Sequence, residues 1–105
     1  SKKEHFLVFF LNGRSQEICR EVISVGTLSE SLVHPREVFE MAIKNSAAAV
    51  VFAHNHPSGS LEPSNADVSV TRKLVEAGKI LDIDVLEHVI VTETGYASIM
   101  PLIDL

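Results

Sequence analysis

The sequence predicts an α+β domain, an α/β/α-like sandwich in which a mixed, mostly antiparallel sheet is flanked by helices. Three observations carry that expectation: strand pairs joined by turns at both ends of the chain, two amphipathic helical segments between them, and a short apolar strand separating the helices. The resulting order, β-β-α-β-α-β-β, differs from the regular alternation of a doubly wound parallel sheet.

Phe6-Leu7-Val8-Phe9-Phe10-Leu11 is a continuous apolar run ended by Asn12-Gly13, a dipeptide that favours positive φ and tight hairpins. A buried strand turning into a second strand, Glu17 to Val25, is the simplest reading. In that second strand Ile18, Arg20, Val22 and Ser24 share one face, Cys19, Glu21, Ile23 and Val25 the other, and Gly26 ends or bends it. After a short stretch around Leu28 to Val33, His34-Pro35-Arg36-Glu37 has the proline and acid of a helix entrance. Val38, Phe39, Ala42 and Ile43 then recur at helical spacing, to about Lys44 or Asn45. Ala47 to Ala53 suits a strand covered on both faces and leads directly into His54.

Asn55 to Asn65 reads as a loop, with Pro57, Ser58, Gly59, Ser60 and Pro63 as its turn residues. Ser64 with Asp67 three residues later is the acidic form of a capping box. It opens a helix with Val68, Thr71, Leu74, Val75 and Gly78 at helical spacing, ending near Lys79 to Leu81. Strands at Val85–Val91 and Tyr96–Ile99, joined by Thr92-Glu93-Thr94-Gly95, complete the order.

A length of 105 residues with 46% apolar content fits one domain, 1–105, with a real core. The missing initiator Met and the abrupt start predict that it is the C-terminal part of a longer protein, with Ser1 an artificial remnant. The formal charge of -5, with Lys and Arg scattered, does not support nucleic-acid binding, which needs concentrated cationic charge. Cys19, the single cysteine, cannot pair within the chain and reads as a small core residue in a reducing compartment. No apolar run approaches a membrane span, so the expectation is a soluble, cytoplasmic protein.

The chemistry gathers where the third strand ends. His54 and His56 lie two apart on an extended backbone, so their rings project to the same side. Asp67 sits in the first turn of the next helix, and the intervening loop can bring it back to them. Two imidazoles and a carboxylate suit one Zn²⁺ ion per chain, with a fourth position left for water. Structural zinc sites are usually closed by four ligands and rich in cysteine, so this set points to catalysis. Such a metal lowers the pKa of its water from about 16 to about 7, but a nearby glutamate must still move the proton. Ser64 can aim its hydroxyl at a developing oxyanion; its alternative task is helix capping. His5, His34 and His88 read as surface or strand-end histidines, His88 having a second reading as a donor behind the ligands.

The run His54-Asn55-His56-Pro57-Ser58-Gly59, followed by Pro63-Ser64-Asn65-Ala66-Asp67, resembles the JAMM motif of the JAB/MPN metalloprotease fold, most closely its RadC-like bacterial branch. Gly26-Thr27-Leu28, Pro35-Arg36-Glu37-Val38, Ala47-Ala48-Ala49-Val50-Val51 and His88-Val89-Ile90-Val91 extend the resemblance over nearly the whole chain. It implies zinc on His54, His56 and Asp67, an oxyanion-assisting Ser64, and a catalytic glutamate at the start of the first core strand, which falls on Glu4. Glu17 and Glu21 compete for that role, and Glu37 reads as a first-turn helix acid. The family's eukaryotic members cleave isopeptide bonds to ubiquitin, and its bacterial branch was historically labelled DNA repair. Longer relatives are expected to carry an N-terminal helical DNA-binding-type segment.

The leading expectation is thus a zinc-dependent peptidase or isopeptidase acting on a peptide or protein. The alternatives are a non-catalytic module that captures a peptide at a sheet edge, and a DNA-associated module or metal-dependent nuclease.

Overall fold

The computed structural model describes residues 3–26 and 33–103, apart from the side chains of Ser24 and Val25. Its elements are β1 (Glu4–Leu11), β2 (Glu17–Gly26), α1 (Pro35–Lys44), β3 (Ala49–Asn55), α2 (Asn65–Leu81), β4 (Asp84–Val91) and β5 (Tyr96–Ser98), followed by a 3₁₀ turn at Met100–Leu102. Ser1, Thr27, Leu28 and the rest of the expected connection up to residue 32 lie outside the described residues.

The five strands lie in the order β2-β1-β3-β4-β5. β1 is antiparallel to both β2 and β3, β4 is antiparallel to β5, and only β3 and β4 run parallel, joined by the crossover helix α2. The expected α+β class with a mixed, mostly antiparallel sheet is therefore the observed one. Alternation along β1 buries Phe6, Val8 and Phe10, and the register sets Val8 against Phe52 and Phe10 against Val50. Val38, Phe39 and Ala42 of α1 and Val70 and Leu74 of α2 close over that same face in one cluster. Fully burying each of these Phe, Val and Leu side chains contributes about 1.5–3 kcal/mol, which holds both helices on the sheet. On the opposite face Leu7, Phe9, Leu11, Val51 and Ala53 are half-buried, with the Arg20 guanidinium 4.8 Å above the Phe9 ring.

The first hairpin turns differently from expectation. The left-handed residue is Ser15 (φ 61°) rather than Gly13. Asn12 explains it: its side-chain Oδ1 accepts from the backbone N–H groups of both Arg14 and Gln16, which builds a longer loop in place of a tight two-residue turn. The strand after α1 also starts later than expected, at Ala49. Ser46 adopts φ 55° and Ala47 N–H returns to the Ala42 carbonyl, so the helix C-terminus takes up the first small residues of the apolar run.

α2 ends similarly, with Asp82 left-handed (φ 57°) and Ile83 N–H bonded to the Gly78 carbonyl. A Cβ on Gly78 would stand 2.3 Å from the Ile83 carbonyl oxygen, a backbone atom that cannot swing away. Alanine would otherwise favour the helix by about 1 kcal/mol. Gly78→Ala is nevertheless expected to lower stability by roughly 2 kcal/mol in urea denaturation. An unchanged midpoint would mean that the α2–β4 connection relaxes without cost.

Candidate metal centre

β3 places the first two site residues. Its inward positions Val50, Phe52 and His54 are all buried, His54 at 2% exposure. His56 lies just past the strand end, but its N–H still reaches the Val91 carbonyl (3.1 Å), which keeps the backbone in line with the sheet. Two residues apart on such a backbone, the rings meet, with His54 Nε2 and His56 Nε2 2.9 Å apart. The loop then doubles back through Gly59, which is left-handed (φ 86°) and donates its N–H to the His56 carbonyl. That fold sets the Ser60 carbonyl 2.9 Å from His56 Nδ1. A carbonyl only accepts, so Nδ1 carries a proton, and in the neutral ring Nε2 then keeps its lone pair.

The capping box delivers the third group. Ser64 Oγ accepts from Asp67 N–H (3.0 Å), and Ser64 N–H donates to Asp67 Oδ2 (2.7 Å). Asp67 is thereby pinned and buried, with Oδ1 3.3 Å from His54 Nε2 and Oδ2 3.2 Å from His56 Nε2. Burial opposes ionisation of Asp67, but the His54 contact and the two Ser64 hydrogen bonds outweigh it and hold the carboxyl well below the usual carboxylate range.

These three residues offer ligand atoms that all lie within 4.8 Å of one another. Separations of this size let three ligand atoms with bonds of about 2.0–2.2 Å share one ion. With both Nε2 lone pairs turned to this point, a cation would be held between the two rings. The donor set fits a divalent metal ion held by His54, His56 and Asp67.

Behind the ligands lies a buried polar chain. His54 Nδ1 is 2.8 Å from His88 Nε2, His88 Nδ1 is 2.6 Å from Thr71 Oγ1, and Thr71 Oγ1 donates to the Asp67 carbonyl at 2.7 Å. His88 and Thr71 are both fully buried. His88 is thus not a surface or strand-end histidine, whereas its second reading, behind the ligands, matches its position. Burial first, and the neighbouring His54 second, push its pKa down to about 3, which leaves it neutral. Strand parity hides this outcome. A bulge pairs Val50 with Val85 but Val51 with Glu87, so the inward side passes from Val85 to His88 instead of Glu87. Thr71 was legible only as one position on the apolar face of α2.

A family model described as a RadC-like JAB domain matches residues 1–102. The chain belongs to this family. The RadC-like JAB domain is 60% identical over 96 residues to a UPF0758 protein of Rubrobacter xylanophilus, covering 91% of this chain and 42% of the relative. It is 55% identical over 100 residues to one of Methanospirillum hungatei (95% and 44%), and 50% identical over 97 residues to one of Desulforamulus reducens (92% and 43%). The chain thus spans less than half the length of the relatives it matches.

Other residues considered for this RadC-like JAB domain fall in different places. Glu4 opens β1, two residues before Phe6, which pairs with His54. Continuing that antiparallel count puts Glu4 level with His56. Glu17 pairs with Leu11 at the other end of β1, about 17 Å along the strand from Phe6, and is exposed and ion-paired to Arg20 (2.7 Å). Glu21 pairs with Val8, one strand further from His54, and Glu37 is exposed on α1. Cys19 packs at the margin of the core, as expected of a small apolar residue. No helix among the described residues is long and apolar enough to cross a membrane.

Proposed function

We propose that this RadC-like JAB domain is a zinc-dependent hydrolase of amide bonds, a peptidase or isopeptidase. The observation that carries the reading is the convergence of two imidazole nitrogens and one carboxylate on a single point, a three-ligand set without a thiolate. Zinc held there would supply a Lewis acid and an acidified water.

The protein's own residues supply the rest. Glu4, level with His56 at the mouth of the β1–β3 ladder, takes the proton from the attacking water and passes it to the leaving amine. Glu17, tied to Arg20 at the far end of the sheet, is a poor competitor for that task. The Ser64 hydroxyl uses a lone pair for the Asp67 N–H, which leaves its proton for the carbonyl oxygen of the substrate. A cleft walled by His56, Pro57, Ser58 and Gly59 and by Val91–Thr94 adjoins the site and offers room for a peptide segment.

The test is Glu4→Gln in zinc-loaded protein assayed against a panel of peptide and isopeptide substrates. Turnover is expected to fall by about 10²–10⁴-fold while zinc content stays at the wild-type level. Wild-type activity in the variant would remove Glu4 from the mechanism. Zinc-loaded wild-type protein that turns over no amide yet binds a peptide would favour instead a binding module, for which β2, the longer of the two edge strands, offers a docking line.

A further inference from the structure

The polar chain behind His54 has a direction, and that direction decides whether His54 can act as a ligand. Thr71 has one hydroxyl proton and two neighbours, the Asp67 carbonyl at 2.7 Å and His88 Nδ1 at 2.6 Å. A helical threonine characteristically donates to the carbonyl four residues back, and a carbonyl oxygen has no proton to offer. With that proton committed, Thr71 Oγ1 presents only lone pairs to His88, so His88 Nδ1 must donate. An uncharged imidazole protonated at Nδ1 is bare at Nε2, and that bare nitrogen faces His54 Nδ1 at 2.8 Å. His54 must then hold its proton on Nδ1, leaving the Nε2 lone pair among the His56 and Asp67 ligand atoms. The opposite polarity, with Thr71 donating to His88, would end with a proton on His54 Nε2, where a metal has to bind.

We propose that Thr71 and His88 are positioning residues that set the tautomer of His54, holding its Nε2 lone pair ready for the metal. The surroundings are built for this. Phe6 and Phe52 pack against the His88 ring edge-on, with centroids at 5.3 and 5.8 Å, which fixes the ring plane and excludes water. The β4 bulge brings the ring inside, and Thr71 lies one helical turn after Asp67, so one helix supplies both a ligand and the polarity of another ligand. Every link of the chain is direct, at 2.6–2.8 Å from His54 through His88 and Thr71 to the Asp67 carbonyl.

The inference rests on the metal reading of His54, but its first test needs no metal. Long-range ¹H–¹⁵N spectra of the metal-free chain are expected to show His54 and His88 protonated at Nδ1 and His88 bare at Nε2. A proton on His88 Nε2 would overturn the proposal. The second test is Thr71→Val, which keeps the β-branch and removes the hydroxyl. His88 should then change tautomer, and the zinc dissociation constant, read by competition with a chromophoric chelator, should rise by about 10–100-fold. His88→Gln, whose amide can accept from His54 and donate to Thr71, should recover most of the affinity that His88→Leu loses. A folded Thr71→Val protein with wild-type tautomers and zinc affinity would also overturn it; if that variant does not fold, the wild-type spectrum decides. Should the wild-type chain bind no zinc, the metal reading fails while the spectrum still judges the polarity of the chain.

Discussion

Asp67→Asn is expected to leave a folded protein that no longer retains zinc. Asparagine keeps the size of the side chain and an oxygen to accept the Ser64 N–H, so the reciprocal cap at the start of α2 survives in outline. What disappears is the negative charge that would balance the metal and the carboxylate oxygen that would bind it. Changing a residue behind the ligands typically costs 10–100-fold in metal affinity, so loss of a ligand should cost at least about a hundredfold. Elemental analysis after dialysis, with circular dichroism to confirm the fold, measures both halves. Stoichiometric zinc in the dialysed variant would contradict the assignment of Asp67, and with it the three-ligand centre.

The metal-free protein is expected to lose stability as the pH falls below about 6.5, well before ordinary carboxylates protonate. His88 is the reason. Its folded-state pKa is pushed down to about 3 by burial and by its neighbour His54, whereas an unfolded histidine takes a proton near pH 6.5. Between those values the unfolded chain binds the extra proton, so its contribution to stability is complete above about 6.5 and drains away as the pH falls, by up to about 1.4 kcal/mol per unit. Asp67 acts in the same sense lower down. Its folded carboxyl stays ionised below the usual range, so its contribution is lost only under about pH 4. Urea titrations at pH 7.5 and 5 should differ by about 2 kcal/mol, and His88→Gln should flatten most of that difference. An equally steep decline in the variant would assign the proton uptake to another group.

Much of the site was legible because its signals are local. His54 and His56 needed only strand geometry to share a side, and the Ser64–Asp67 cap needed only the spacing of one helical turn. The glutamate was harder to place, since nothing within Glu4 or its neighbours states which strand will lie alongside. Its level with His56 follows from the β1–β3 register, a pairing between segments almost fifty residues apart. His88 was legible only as the second of two readings, since strand parity counted from Val85 points Glu87 inward.

By itself the sequence determined the class of fold, the two helix starts and the three residues that converge as candidate ligands, because each depends on periodicities and turn preferences a few residues long. The tertiary structure alone decided which face of β4 looks inward and which buried groups stand behind the candidate ligands. Those outcomes depend on competition between distant partners for backbone hydrogen bonds and core volume. The bulge in β4 shifts its pairing with β3, and it turns a histidine inward that strand alternation would have placed outside.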